Sequence, residues 1–286
     1  MWPMVVVASL ALPGPPTQPA ASENEPPPAT APAQPAAGRE PVYATGFIFR
    51  TVRFDDETYA YTVYVPPEYT PRRAWPVVIF LHGSGERGTD GMLQTEIGLG
   101  PAIRRHRDLV PAVVVMPQCR PDDAWWSERM TRMTAACLEQ TYVEYRLDPE
   151  RLYVTGLSLG GAGTWFFAAR FPRQVAAIAP ICGFLELQQP TGLAEKLAPH
   201  LVDVPTWCFH GARDQNVPVE RSRELIDAIR RAGGGPRYTE FADGEHGVWD
   251  RVYRDPAFWQ WLLAQRRALE PELRPPAAPA SRPAGP

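Results

Sequence analysis

At 286 residues and 44% hydrophobic, the chain is long enough to bury one substantial core. Its 29 basic and 32 acidic side chains leave a net charge of −3, which excludes the strongly basic footprint of a nucleic-acid-binding protein. The 34 prolines are concentrated at the ends, so the two termini and the middle have different compositions.

Residues 4–12 (MVVVASLAL) are apolar but too short to span a bilayer. They read as the core of a signal peptide that lacks a charged n-region, which points to a secreted or periplasmic location without an integral membrane span. From there to residue 41 proline and alanine dominate with no apolar period, and 271–286 repeat that composition. Both are expected to be disordered linkers, so the domain plan is 1–41 apolar segment plus linker, 42–270 folded domain and 271–286 tail.

Between the tails, strands are predicted at 45–50, 59–65, 77–81, 112–116, 152–155, 175–179, 206–209 and 238–241, from short β-rich apolar runs bounded by turn residues. Helices are predicted at 131–146, 159–170, 193–201, 219–232 and 256–268, where the apolar period lengthens to that of a helix. Alternation of this kind argues for an α/β fold with a mostly parallel central sheet and helices on both faces. The first two strands, joined by the turn DDET, form an antiparallel hairpin at one edge.

The run RLYVTGLSLGGAGTW reads as a strand, a glycine-pinched turn and a helix, with Ser158 at the tip between Gly156 and Gly160. A G-x-S-x-G turn of this kind exposes the serine hydroxyl and aims the amide of Leu159 at the place where an attacked carbonyl gathers negative charge. A neutral hydroxyl needs a base, and on such a sheet an acid and then a histidine follow the serine in the chain. His82 and His106 precede Ser158. Asp214 falls just past the predicted strand 206–209, and beyond it only His246 remains, in the glycine-punctuated loop FADGEHGVWD. The candidate set is therefore Ser158, Asp214 and His246, with Asp243 as a rival acid. LHGSGERG follows an earlier strand, and its Ser84 amide, or else that of Gly85, is expected to be the second oxyanion donor beside Leu159.

The remaining histidines have simpler readings: His82 and His210 bond loop backbone, while His106 and His200 lie on surface segments. With no H-x-x-x-H or C-x-x-C pattern, no metal or cofactor is expected. Cys182 and Cys208 read as buried thiols, whereas Cys119 and Cys137 are either free or joined in an oxidising compartment. Trp126 and Trp249 fall beyond strand carboxyl ends and are candidate walls of an acyl or phenolic pocket, with core packing as the alternative; Trp165, on the nucleophile helix, is better explained as core.

In order along the chain, LHGSGERG, VVVMPQC, WW, GLSLGGAGTW, PICG, HGARDQNVP and GEHGVW resemble the α/β-hydrolase carboxylesterases of the dienelactone-hydrolase and prolyl-oligopeptidase-like branch. The resemblance covers residues 42–267. It implies Ser158 as nucleophile, Asp214 as acid and His246 as base, with loop amides near Ser84 holding the oxyanion. The function it implies is hydrolysis of small or polymer-linked carboxylic esters. A serine peptidase of the same fold, or an inert binding module on it, is the alternative.

Overall fold

A computed structural model of the chain describes residues 43–185 and 192–267, all within the unit Val42–Pro286. The signal-like segment, the first linker and the tail lie outside the described residues.

Eight strands form one sheet: β1 Gly46–Phe54, β2 Glu57–Val65, β3 Trp75–Leu81, β4 Val113–Pro117, β5 Leu147–Leu157, β6 Ala177–Ile181, β7 Trp207–Gly211 and β8 Arg237–Phe241. Their spatial order is β1-β2-β4-β3-β5-β6-β7-β8. The hairpin β1–β2 is antiparallel and joins β4 antiparallel; every later pairing is parallel. Asp55 and Asp56 turn the hairpin with φ of 52° and 62°, the left-handed pair that a two-residue turn between twisted strands requires. Glu57 and Thr58 of the predicted turn are already in the ladder, opposite Phe54 and Arg53.

The strand contacts differ in extent. β7 and β8 share a five-residue register from Trp207↔Arg237 to Gly211↔Phe241, whereas β6 meets β7 at Ile181↔Phe209 and an isolated bridge, Ile178↔Thr206. Backbone bonds from Cys182 to Phe209 (2.9 Å) and from Ile178 to Pro205 (2.9 Å) complete that thin seam.

The sheet is covered by α1 Leu99–His106, α2 Glu128–Glu144, α3 Leu159–Arg170, α4 Leu193–Leu201, α5 Glu220–Arg231, α6 Trp249–Tyr253 and α7 Pro256–Ala264. Strand alternation divides the core in two. Val77, Ile79, Leu81, Val113, Val115 and Val154 pack against side chains of α2 to α5, while Val78, Phe80, Val114, Met116 and Tyr153 pack against α1, α6 and α7. β3 and β4 are buried on both faces, which explains their unbroken apolar runs WPVVIFL and VVVMP.

Some boundaries shift. β5 begins at Leu147, five residues before the predicted start, as Asp148, Pro149 and Glu150 continue the strand. α2 begins three residues before the predicted start, where Ser127 caps it by accepting from the Met130 amide (3.1 Å). α7 ends at Ala264 rather than 268, which lies outside the described residues. α1 ends in the charged stretch RRHRD, which the sequence suggests as a solvated helix face; Leu99 and Ile103 anchor it, and His106 is exposed at its end. All four cysteines are buried and free, so Cys119 and Cys137 are not joined.

Candidate active site

β5 runs into α3 through Ser158, whose backbone has φ 54° and ψ −116°, an uncommon conformation for a residue with a side chain. Gly160 makes this turn possible, because a Cβ there would strike the carbonyl of Leu81, leaving no room for α3 beside β3. The Ser158 amide is tied to Ile181 O (2.9 Å), and its Oγ lies 3.0 Å from His246 Nε2.

His246 comes from the loop between β8 and α6, and Asp214 from the loop after β7. His246 Nδ1 is 2.6 Å from Asp214 Oδ2, so serine, imidazole and carboxylate form one continuous chain. The two loops are joined directly: Ala212 N donates to Phe241 O (2.9 Å) and Arg213 N to Gly244 O (2.8 Å), and a Cβ on Gly211 would overlap the Gly244 and Glu245 carbonyls. Asp214 Oδ1 accepts from the amides of Asn216 and Val217, each at 2.9 Å. Burial opposes ionisation of this carboxyl. The hydrogen bonds from His246 and the two amides, together with the His246 charge, outweigh that and hold it below the ordinary carboxylate range.

Asp243 is brought elsewhere: it is exposed and paired with Arg251 at 2.8 and 3.0 Å. Ser84 opens a single 3-10 turn, Ser84–Glu86, after β3, and the Cβ position of the preceding Gly83 lies 3.8 Å from Ser158 Cβ. The loop carrying Ser84 is therefore against the Ser158 turn. Leu159 is the first residue of α3, where helical geometry leaves the amide without an acceptor inside the helix. Trp249 stands edge-on to the His246 ring, with centroids 5.3 Å apart. Trp126, 42% exposed, packs instead with Phe166 and Phe184; Phe166 is about 12 Å along α3 from Ser158. Trp165 is buried in the core.

His82 supports the same loop. Its Nδ1 donates to Gly83 O (2.6 Å) and its Nε2 accepts from Cys119 N (3.0 Å), which fixes one neutral tautomer across the ends of β3 and β4. Burial lowers its pKa to about 4, against a partial opposing effect of the Gly83 carbonyl. An unfolded histidine titrates near 6.5. Between these values only the unfolded chain takes up the proton, so this contribution to stability is complete above about pH 6.5 and is lost as the pH falls toward 4. Roughly 3 kcal/mol is involved. Urea unfolding of the wild-type protein at pH 7.5 and 4.5 should show a larger loss than His82→Gln; equal losses would refute the assignment.

Beneath the site, Cys182, His210 and Asp214 present donor atoms within 4.8 Å of one another. These atoms are already committed: Cys182 Sγ donates to His246 O (3.2 Å), Asp214 has the bonds given above, and His210 lies 2.7 Å from Ser222 Oγ and 3.1 Å from Asp214 Oδ2. The cluster is a hydrogen-bond network under the Ser158–His246–Asp214 chain of contacts. The sequence reading, which tied His210 to loop backbone, captured its contact with Val217 O (3.0 Å) and missed those with Asp214 and Ser222. The spacing of His210 and Asp214, four residues apart across a strand end, was the available signal.

A family model described as "Putative esterase" matches residues 55–268. Among solved structures, a thermostable esterase is 32% identical with TM-score 0.67, over 77% of this chain and 63% of that one. A ferulic acid esterase, 18% identical with TM-score 0.63 over 77% of this chain and 100% of the other, shares the fold. The bifunctional acetylxylan esterase/xylanase XynS20E of Neocallimastix patriciarum is 26% identical over 155 residues, 53% of this chain and 21% of that protein. An uncharacterized secreted protein of Arthroderma benhamiae is 24% identical over 200 residues, 60% of this chain. The chain thus spans about a fifth of the length of either curated relative, 21% in both cases.

Proposed function

The chain belongs to the esterase family of α/β-hydrolases matched over residues 55–268, and from that membership we propose that it hydrolyses carboxylic esters through an acyl-enzyme on Ser158. The observation that carries this reading is the 3.0 Å approach of Ser158 Oγ to His246 Nε2, backed by the 2.6 Å contact of His246 with Asp214. His246 takes the serine proton as Oγ attacks the ester carbonyl, and the amides of Leu159 and Ser84 stabilise the oxyanion. The imidazolium then gives its proton to the departing alcohol. Water, deprotonated by the same imidazole, attacks the acyl-enzyme; the imidazolium returns that proton to Ser158 Oγ as it leaves, and the acid is released. Asp214 keeps the His246 proton on Nδ1 and stabilises the charged ring.

Short-chain or phenolic esters are the proposed substrates. Trp249 beside the base and the exposed Trp126 offer flat apolar surfaces, and the names of two relatives concern ferulic acid and acetylxylan. The apolar residues 4–12 and a relative named as secreted support action outside the cytoplasm. A panel of acetyl, butyryl, octanoyl and feruloyl esters with matched peptide amides tests the reading. Acetyl, butyryl or feruloyl esters should exceed octanoyl esters and amides by at least about tenfold in kcat/KM. Faster turnover of the amides would replace the esterase by a peptidase.

A further inference from the structure

We propose that His210, through its Nε2–H, is a positioning residue for the Asp214–His246 pair. This rests on the reading of Asp214 as the acid. The side chains of His210 and Asp214 are wholly buried. Nε2 of His210 lies 3.1 Å from Asp214 Oδ2 and 3.0 Å from the Val217 carbonyl. A carbonyl can only accept, so Nε2 carries the hydrogen. Nδ1 is then the acceptor of a neutral ring, and the group 2.7 Å from it is the hydroxyl of Ser222, which must donate. Ser222 Oγ in turn receives the Cys208 thiol at 3.5 Å. Every hydrogen in this buried series has one direction, from Cys208 through Ser222 and His210 to Asp214.

Asp214 Oδ2 accordingly accepts from two imidazoles, His246 at 2.6 Å and His210 at 3.1 Å. The second fixes the carboxylate's rotation about its side-chain bonds. Val217 is held on both sides, its amide on Oδ1 and its carbonyl on His210 Nε2. The ring must be neutral to serve. A charged His210 would neutralise Asp214 and remove its attraction for the imidazolium of His246. Burial lowers the His210 pKa, outweighing the opposing pull of Val217 and Asp214, so the neutral form is the stable one.

The test uses the full chain with ¹⁵N-labelled histidine at pH 7. His210 should carry its ring proton on Nε2 alone, and His246 should give a strongly downfield Nδ1–H signal. His210→Leu should move that His246 signal and lower kcat about ten- to a hundredfold, the value of a hydrogen bond to a charged group, while KM stays within about threefold. His210→Gln, which keeps a donor at the Nε2 position, should restore most of kcat and return the signal. If the leucine variant fails to fold, Ser222→Ala retains the ring and removes its partner. It should leave the ring proton on Nε2, since Asp214 and Val217 still only accept, while the loosened ring shifts the His246 Nδ1–H signal and lowers kcat about threefold or more. A proton on Nδ1 of His210 in the wild-type protein overturns the proposal, as does a folded variant with unchanged kcat and unchanged His246 signal, or a change confined to KM. Should the chain hydrolyse no ester, the proposed function falls, and the two ring signals still decide the role of His210.

Discussion

Ser158→Ala is expected to lower ester hydrolysis by about a million-fold while leaving the thermal midpoint close to that of the wild-type protein, since nucleophile, base and acid act as one unit. The substitution removes one oxygen. The amide bond to Ile181 O and the packing of α3 do not involve that atom. A fluorophosphonate should label Ser158 and no other serine. Ser84 is exposed on the neighbouring loop, and Ser127 has its hydroxyl engaged as the cap of α2, so each is an internal control. Labelling at either one with Ser158 untouched would remove the nucleophile assignment.

The second large effect is expected at the carboxylate. In Asp214→Asn the amide cannot present its nitrogen at the Oδ1 position, because two backbone N–H groups already point there. Its NH2 is therefore driven to the Oδ2 side, against His246 Nδ1 and His210 Nε2. His246 must then accept on Nδ1 and keep its proton on Nε2, facing the serine it should deprotonate. This tautomeric inversion costs up to about ten-thousand-fold in kcat. Asp243→Asn removes an exposed pairing with Arg251 and should change kcat less than about threefold. Measuring both variants on one soluble ester gives a direct comparison, and a reversed order would transfer the acid role to Asp243.

What could be read from the sequence follows the range of the interactions involved. The elbow is a local object, with Gly156, Ser158 and Gly160 inside five residues, so its strand, turn and helix were all visible there. Every strand was anticipated, because β3 and β4 bury both faces and read as unbroken apolar runs. The choice of Asp214 over Asp243 came from its place at a strand end, Asp243 being three residues from His246 on the same loop, and the pairing of Asp243 with Arg251 is eight residues away. The contacts of His210 were hidden for a related reason. Ser222 reaches it only through the return of α5 onto β7, which no local pattern encodes, whereas the contact with Asp214 was open to the four-residue spacing alone. α1 was obscured because its three basic residues at the C-terminal end read as surface, although Leu99 and Ile103 anchor it.

The thin seam between β6 and β7 divides the proposed catalytic groups unequally. Ser158 belongs to the block that ends at β6, while Asp214 and His246 both belong to the β7–β8 block and are fastened to each other through Gly211, Phe241 and Gly244. Shear across the seam therefore stretches the serine–histidine distance and leaves the histidine–aspartate distance alone. On the proposed mechanism, mild heat or cosolvent is expected to lengthen the Ser158–His246 contact before the His246–Asp214 contact. The Cys182 thiol on the His246 carbonyl crosses the same seam, and a cross-link from β6 to β7 is expected to hold the proposed serine–histidine contact at its length.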